Sequence, residues 1–153
     1  MALIDDLLTR DIPMYPFSWG SYAEADYGDR ERPKNIKSVG ELISTQTYPE
    51  SKVHMTYAWI TEQEDPIQWS SEHVHDYDEI LMWKGNDPEN PHELGAEIYI
   101  EIEGERRSFT KSGSIYIPAG VRHCPLGFIR VDRPFLWHAL SLAPNYHATR
   151  TDA

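Results

Sequence analysis

The chain has 153 residues, a length that fits one domain with a full hydrophobic core. Its formal net charge of −11 argues against nucleic acid and anionic membranes as partners, since both call for a basic surface. A single cysteine, Cys124, excludes an internal disulfide, and no apolar run approaches the ~18 residues of a membrane-spanning helix. The first ten residues include Asp5 and Asp6 and lack a basic region ahead of an apolar core, so they do not read as a signal peptide. A cytoplasmic location is expected.

Taken in order, residues 2–10 predict a short helix with Leu3, Ile4, Leu7 and Leu8 along one side. Residues 11–38 carry Pro13, Pro16 and Pro33, the aromatics Tyr15, Phe17, Trp19, Tyr22 and Tyr27, and a charged cluster from Asp29 to Lys34. They hold no sustained period and read as an extended arm that packs on the domain's own flank or on a partner subunit. From Leu42 the chain turns β-rich. Strands are expected over 42–48 and 53–61, the second alternating Val53, Met55, Tyr57 and Trp59 against His54, Thr56 and Ala58. A polar loop over 62–71 leads to a strand carrying His73 and His75, and 78–84 forms the next. Residues 97–103 alternate cleanly, with Ile98, Ile100 and Ile102 inward and Glu97, Tyr99, Glu101 and Glu103 outward. Residues 106–109, 115–117 and 135–142 complete the set, and the tail after Pro144 reads as loose. Many short strands with no helical period between them indicate an all-β sandwich or barrel.

Two stretches carry chemistry. In an extended segment His73, His75 and Glu79 share one parity, so their side chains project to one face and can converge on a point. Imidazole nitrogens and a carboxylate oxygen suit a divalent transition metal. The second stretch runs from Gly113 through Pro118 and Gly120 to His123, which adds a fourth ligand. Four such ligands leave an octahedral ion two open positions for a substrate or water, as a catalytic site requires.

Together the stretches resemble the cupin superfamily. Its first motif is met by His73, His75, Glu79 and Gly85, its second by Gly113, Pro118, Gly120 and His123. Ile67, the position of Gly113 and the presence of Gly127 depart from the usual pattern, and none of these is a presumed ligand. The resemblance covers roughly residues 40–143, with 1–39 as helix and arm and 144–153 as tail. It implies a double-stranded β-helix, or jelly-roll barrel, with one divalent metal per chain (Fe, Mn, Ni, Co or Zn), a small-molecule substrate and a homodimer. The implied activity is that of a small metalloenzyme, with Fe(II)-type dioxygenation first, isomerase or lyase chemistry second, and non-catalytic binding of a small molecule as the competing class. Tyr116 is a candidate pocket hydrogen-bonder and His138 a candidate general base. Asp76 and Asp78 have the parity opposite to the ligands and are expected to face solvent or cap a turn. Arg122 either holds an anionic substrate or bridges to the acidic rim, and Cys124 reads as a buried inert thiol.

Overall fold

The structure is a computed structural model that describes residues 2–17 and 30–151, so Trp19, Tyr22, Tyr27 and Asp29 of the arm lie outside the described residues. After a one-turn helix, α1 (Leu3–Leu7), the chain is built from strands β1 (Ile36–Ile43), β2 (His54–Ile60), β3 (Ile67–Ser70), β4 (His73–Val74), β5 (Glu79–Lys84) and β6 (Glu93–Ile102). Strands β7 (Glu105–Lys111), β8 (Gly113–Ile117), β9 (His123–Val131), β10 (Phe135–Ser141) and β11 (Thr149–Arg150) follow. They form two antiparallel sheets, one in the order β1-β2-β10-β5-β8 and the other β11-β4-β9-β6-β7, with β3 also on β9. The two sheets face each other across one core: an all-β jelly-roll barrel.

Register explains which side chains enter it, because residues directly opposite in an antiparallel pair share a face. On the first sheet the inward rows are Ile60 with Phe135, then Ala58 with Trp137 and Trp83, then Thr56 with Ala139 and Leu81. The last inward row is His54, Ser141, Glu79 and Ile117. Aromatics fill the end away from that polar row. Trp83 stacks between Trp137 and Phe109, at centroid distances of 5.6 and 4.7 Å, and Phe128 lies against Phe135 and Trp69. Each such buried ring contributes roughly 1.5–3 kcal/mol from its removal from water. The barrel is therefore solid at one end and polar at the other.

The expected alternation of β2 is present, with its smaller residues inside. His54, Thr56, Ala58 and Ile60 point inward, while Met55, Tyr57 and Trp59 lie on the outer surface. The small inward residues are needed because Trp83 and Trp137 of the neighbouring strands already occupy that volume. The first core strand is 36–43 rather than 42–48; residues 44–48 instead close a turn through Thr47 N–H and Tyr48 N–H to the Ser44 carbonyl. Residues 67–70 of the expected loop form β3, and 123–131 form β9, a central strand of the second sheet. Residues 13–15 lie along β1, with Tyr15 N–H donating to Val39 O and Glu41 N–H to Pro13 O. In β6, Ile98 and Ile100 are buried inward as expected, and outward Tyr99 is covered by the Arg106 guanidinium 4.0 Å above its ring.

The tail is not loose up to residue 151. Thr149 and Arg150 pair with Val74 and His73 as β11. No helix among the described residues is long and apolar enough to cross a membrane.

Candidate metal centre

His73 and Glu79 open β4 and β5, His75 sits in the turn between them, and His123 opens β9 directly opposite His73. Two glycines make this juxtaposition possible. A side chain at Gly85 would place its Cβ 2.1 Å from the Glu93 carbonyl, so only glycine lets the end of β5 pass there. Gly120 has φ +84°, a left-handed conformation that carries the Pro118–Gly120 turn back so that its N–H donates to the His75 carbonyl. Asp78 caps the same turn, accepting from Ala119 N–H at 2.8 Å and from the Tyr116 hydroxyl.

The four residues are between 1 and 3 % exposed, and one donor atom from each lies within 4.8 Å of every other. Each imidazole is held by its Nδ1–H on a backbone carbonyl: His73 on Ser71 at 2.7 Å, His75 on His147 at 2.6 Å and His123 on Val121 at 2.9 Å. That bond fixes the tautomer and turns each Nε2 lone pair toward the centre. His75 Nε2 stands 3.4 Å and His123 Nε2 3.5 Å from the Glu79 carboxylate, and neither nitrogen has a hydrogen-bond partner. Buried polar atoms without a partner are costly, so two aimed at one carboxylate mark a place for a cation. Donors around one transition ion span about twice a ~2.1 Å bond, so these four need only close slightly. The cluster fits a metal site.

Electrostatics favours ligand forms. Burial, then the neighbouring His123 and His75, push the His73 pKa down to about 3, which keeps its ring neutral. Burial alone would raise the Glu79 carboxyl, but the imidazoles of His123 and His75 outweigh it and hold the pKa at about 2.

The cluster opens into a cavity of about 80 Å³ lined by His73, Glu79, Leu81, Leu126, Trp137 and Ala139. Sequence reasoning missed several of its other walls. His54, noted in the sequence only for its place in the β2 alternation, is buried on this wall, with Glu41 Oε1 3.8 Å from its Nε2. Burial lowers its pKa to about 4 against the opposing charge of Glu79, so its ring is neutral and the contact is not an ion pair at pH 7. Tyr146 packs edge-on against His75 at 5.3 Å and also lines the cavity, as do Tyr15 and Arg32 from the arm. Cys124, read as a buried thiol, is buried and lines the cavity as well. His123 pairs with Ile102 but Leu126 with Ile100, so β9 carries one extra residue, and Cys124 at φ 70° turns inward in that bulge.

Two expected groups are not brought to the centre. Tyr116 is 53 % exposed on the outer face of β8, opposite Ile80, with its hydroxyl on Asp78. His138 shares the outer face of β10 with Leu136 and Leu140 and lies against Tyr57, while Trp137, Ala139 and Ser141 take the inside. Both follow from the strand period: Ile115 and Ile117 take the inward positions beside Tyr116, and Trp137 and Ala139 those beside His138. Arg122 bridges Glu103 at 2.9 Å and Glu72 at 3.7 Å on the surface.

No family model and no curated protein matches the chain. Solved structures do. An oxalate oxidase in complex with glycolate aligns over 95 % of this chain and 64 % of its own, at TM-score 0.54 and 15 % identity. The DMSP lyases RdDddP and RnDddQII align over 86 % of this chain and 59 % of theirs, at TM-score 0.52 and 11 % identity. The chain has the cupin fold. A third cupin of known structure, an RmlC-like cupin from Shewanella frigidimarina NCIMB 400, covers 76 % of this chain and 83 % of its own, at TM-score 0.44 and 11 % identity. The chain spans about half to two thirds of the length of the DMSP lyases and the oxalate oxidase it matches. At these identities the likeness establishes the barrel; the reaction has to be argued from this chain's own side chains.

Proposed function

We propose that this cupin is a metal-dependent enzyme acting on a small oxygenated organic molecule, with one divalent transition metal on His73, His75, Glu79 and His123. The observation that supports it best is the set of three Nδ1–H bonds to backbone carbonyls, which leaves three Nε2 atoms and one carboxylate facing a common point. Such an ion supplies Lewis acidity and, as Fe(II), redox chemistry with dioxygen. The chain's own residues orient those donors, and Leu81, Leu126, Trp137 and Ala139 keep the adjoining space apolar. Dioxygenation is the first reaction to test. Protein reconstituted with Fe(II) is expected to consume O₂ with an enolisable hydroxy-carbonyl or catechol substrate; iron-loaded protein that takes up no O₂ with any of them contradicts it.

A second reading, isomerase or lyase chemistry, is favoured by His54. A neutral imidazole on the wall of the same cavity is a group that can take up or deliver a proton. Substrate-dependent incorporation of solvent deuterium without O₂, lost in His54→Gln, would select it. A metabolite that copurifies and is returned unchanged would select the non-catalytic binding module instead. A homodimer in the cytoplasm completes the reading, and exposed Leu3, Ile4, Leu7 and Leu8 of the N-terminal segment support a subunit contact.

A further inference from the structure

The cavity holds a second feature that the metal cluster does not use. Arg32, just ahead of β1, lines the same cavity as His73 and Glu79. Its guanidinium lies 4.5 Å over the ring of Tyr15, which is itself pinned by its N–H on the Val39 carbonyl. Stacking on a ring fixes the plane of the guanidinium and leaves its edge, with five N–H donors, free to bind. Among the described residues no carboxylate and no carbonyl accepts from that edge. Other arginines are engaged: Arg10 with Asp5, Arg106 with Glu101, Arg122 with Glu103 and Glu72, Arg130 with Glu97 and Asp132. Arg30, two residues away, clamps the Gln68 and Trp69 carbonyls and the Ser71 hydroxyl.

In a chain of net charge −11, a half-buried arginine on a cavity wall without an acidic partner runs against the local supply of acids. The one carboxylate lining the cavity, Glu79, is committed to the ligand cluster. With a divalent ion on that cluster, its net charge is about +1, and Arg32 adds another positive charge to the same space. Among the described residues, then, nothing supplies a counter-charge to Arg32, and a ligand can bring it.

We propose that Arg32 is the anchor for a carboxylate of the substrate, so that the substrate class is a small organic acid whose oxygenated end faces the metal cluster and whose carboxylate meets the Arg32 edge. The inference rests on the proposed function in taking this cavity as the reaction site. It also assigns a role to the arm: Tyr15 and Arg32 close the cavity and select by charge. Arg122, the arginine beside His123, bridges to the acidic rim instead, through Glu103 and Glu72.

The test is calorimetric titration of the full chain, metal-free and loaded with Mn(II), with α-hydroxy acids that share one end and differ at the other. Malate is compared with 2-hydroxybutyrate, and 2-hydroxyglutarate with 2-hydroxypentanoate. A charge-assisted hydrogen bond predicts that at least one dicarboxylate binds about tenfold or more tightly than its neutral-ended partner, and that the preference weakens with salt. Arg32→Gln, which removes the guanidinium and its charge, is expected to abolish the preference between the members of each pair; Arg32→Lys retains part of it. Equal affinities for both members of each pair, or a preference that survives in Arg32→Gln, overturns the proposal. A preference that depends on Arg32 but shows no gain on Mn(II) loading supports the anchor and counts against the metal-centre reading.

Discussion

Acid should expose His54 as a buried neutral base. Burial lowers its pKa from 6.5 to about 4 in the folded protein, while the unfolded chain titrates near the ordinary value. Above pH 6.5 the ring is neutral in both states and contributes no pH dependence. Between about 6.5 and 4 the unfolded state binds the proton and the folded state does not, so stability falls as pH falls. Each unit of pKa difference is worth about 1.4 kcal/mol, so His54 alone removes about 3 kcal/mol across that window. His73, held at about 3, adds to the loss below pH 6.5 and has to be separated. The assay is urea unfolding of chelator-treated protein from pH 7 to pH 4, for wild type and for His54→Gln, a neutral replacement of similar reach. The variant starts from a lower stability because a cavity-wall contact is lost, but its curve should be flatter by about 3 kcal/mol over the window. Parallel curves would show that His54 is not kept neutral by the fold, and would remove the ground for giving it a proton-transfer role.

Three further outcomes test the placement of individual residues. Gly85→Ala drives a Cβ against the Glu93 backbone and should destabilise the fold by at least ~2 kcal/mol in urea unfolding, more than an exposed strand position would. Tyr116→Phe should leave metal content and melting temperature unchanged, since the hydroxyl meets only Asp78 on the outer face; loss of metal would place Tyr116 at the centre after all. Removal of residues 144–153 takes away the His147 carbonyl that orients His75, and should weaken metal affinity by roughly 10-fold or more in a competition titration with a chelator.

The ligands were legible because a metal restricts residue type, spacing and parity together, and His73, His75, Glu79 and His123 satisfy all three. β6 was legible for a similar reason, its isoleucines alternating with charges on a half-solvated strand. β9 was not foreseen, and it contains Pro125 and Gly127, residue types that weaken a strand signal. Pro125 falls in the bulge, and at Gly127 a side chain would strike the Tyr99 hydroxyl at 2.4 Å. The faces of β2 could not be read from bulk alone, since its small residues are inside only because tryptophans on other strands fill the space. The tail was misjudged because its contribution is a backbone carbonyl, and composition carries no record of what a carbonyl accepts. His54 and Arg32 join the cavity only through tertiary pairing.

The central claim is that the four-residue cluster binds one transition metal ion per chain. Elemental analysis of protein purified from its own host, without chelators or a metal-binding tag, tests it most directly. Close to one ion of Fe, Mn, Ni, Co or Zn per chain is expected in the wild type, falling well below that in a folded His123→Ala variant. A wild type free of metal with all four ligands intact, or a variant that keeps its full metal content, would contradict the account.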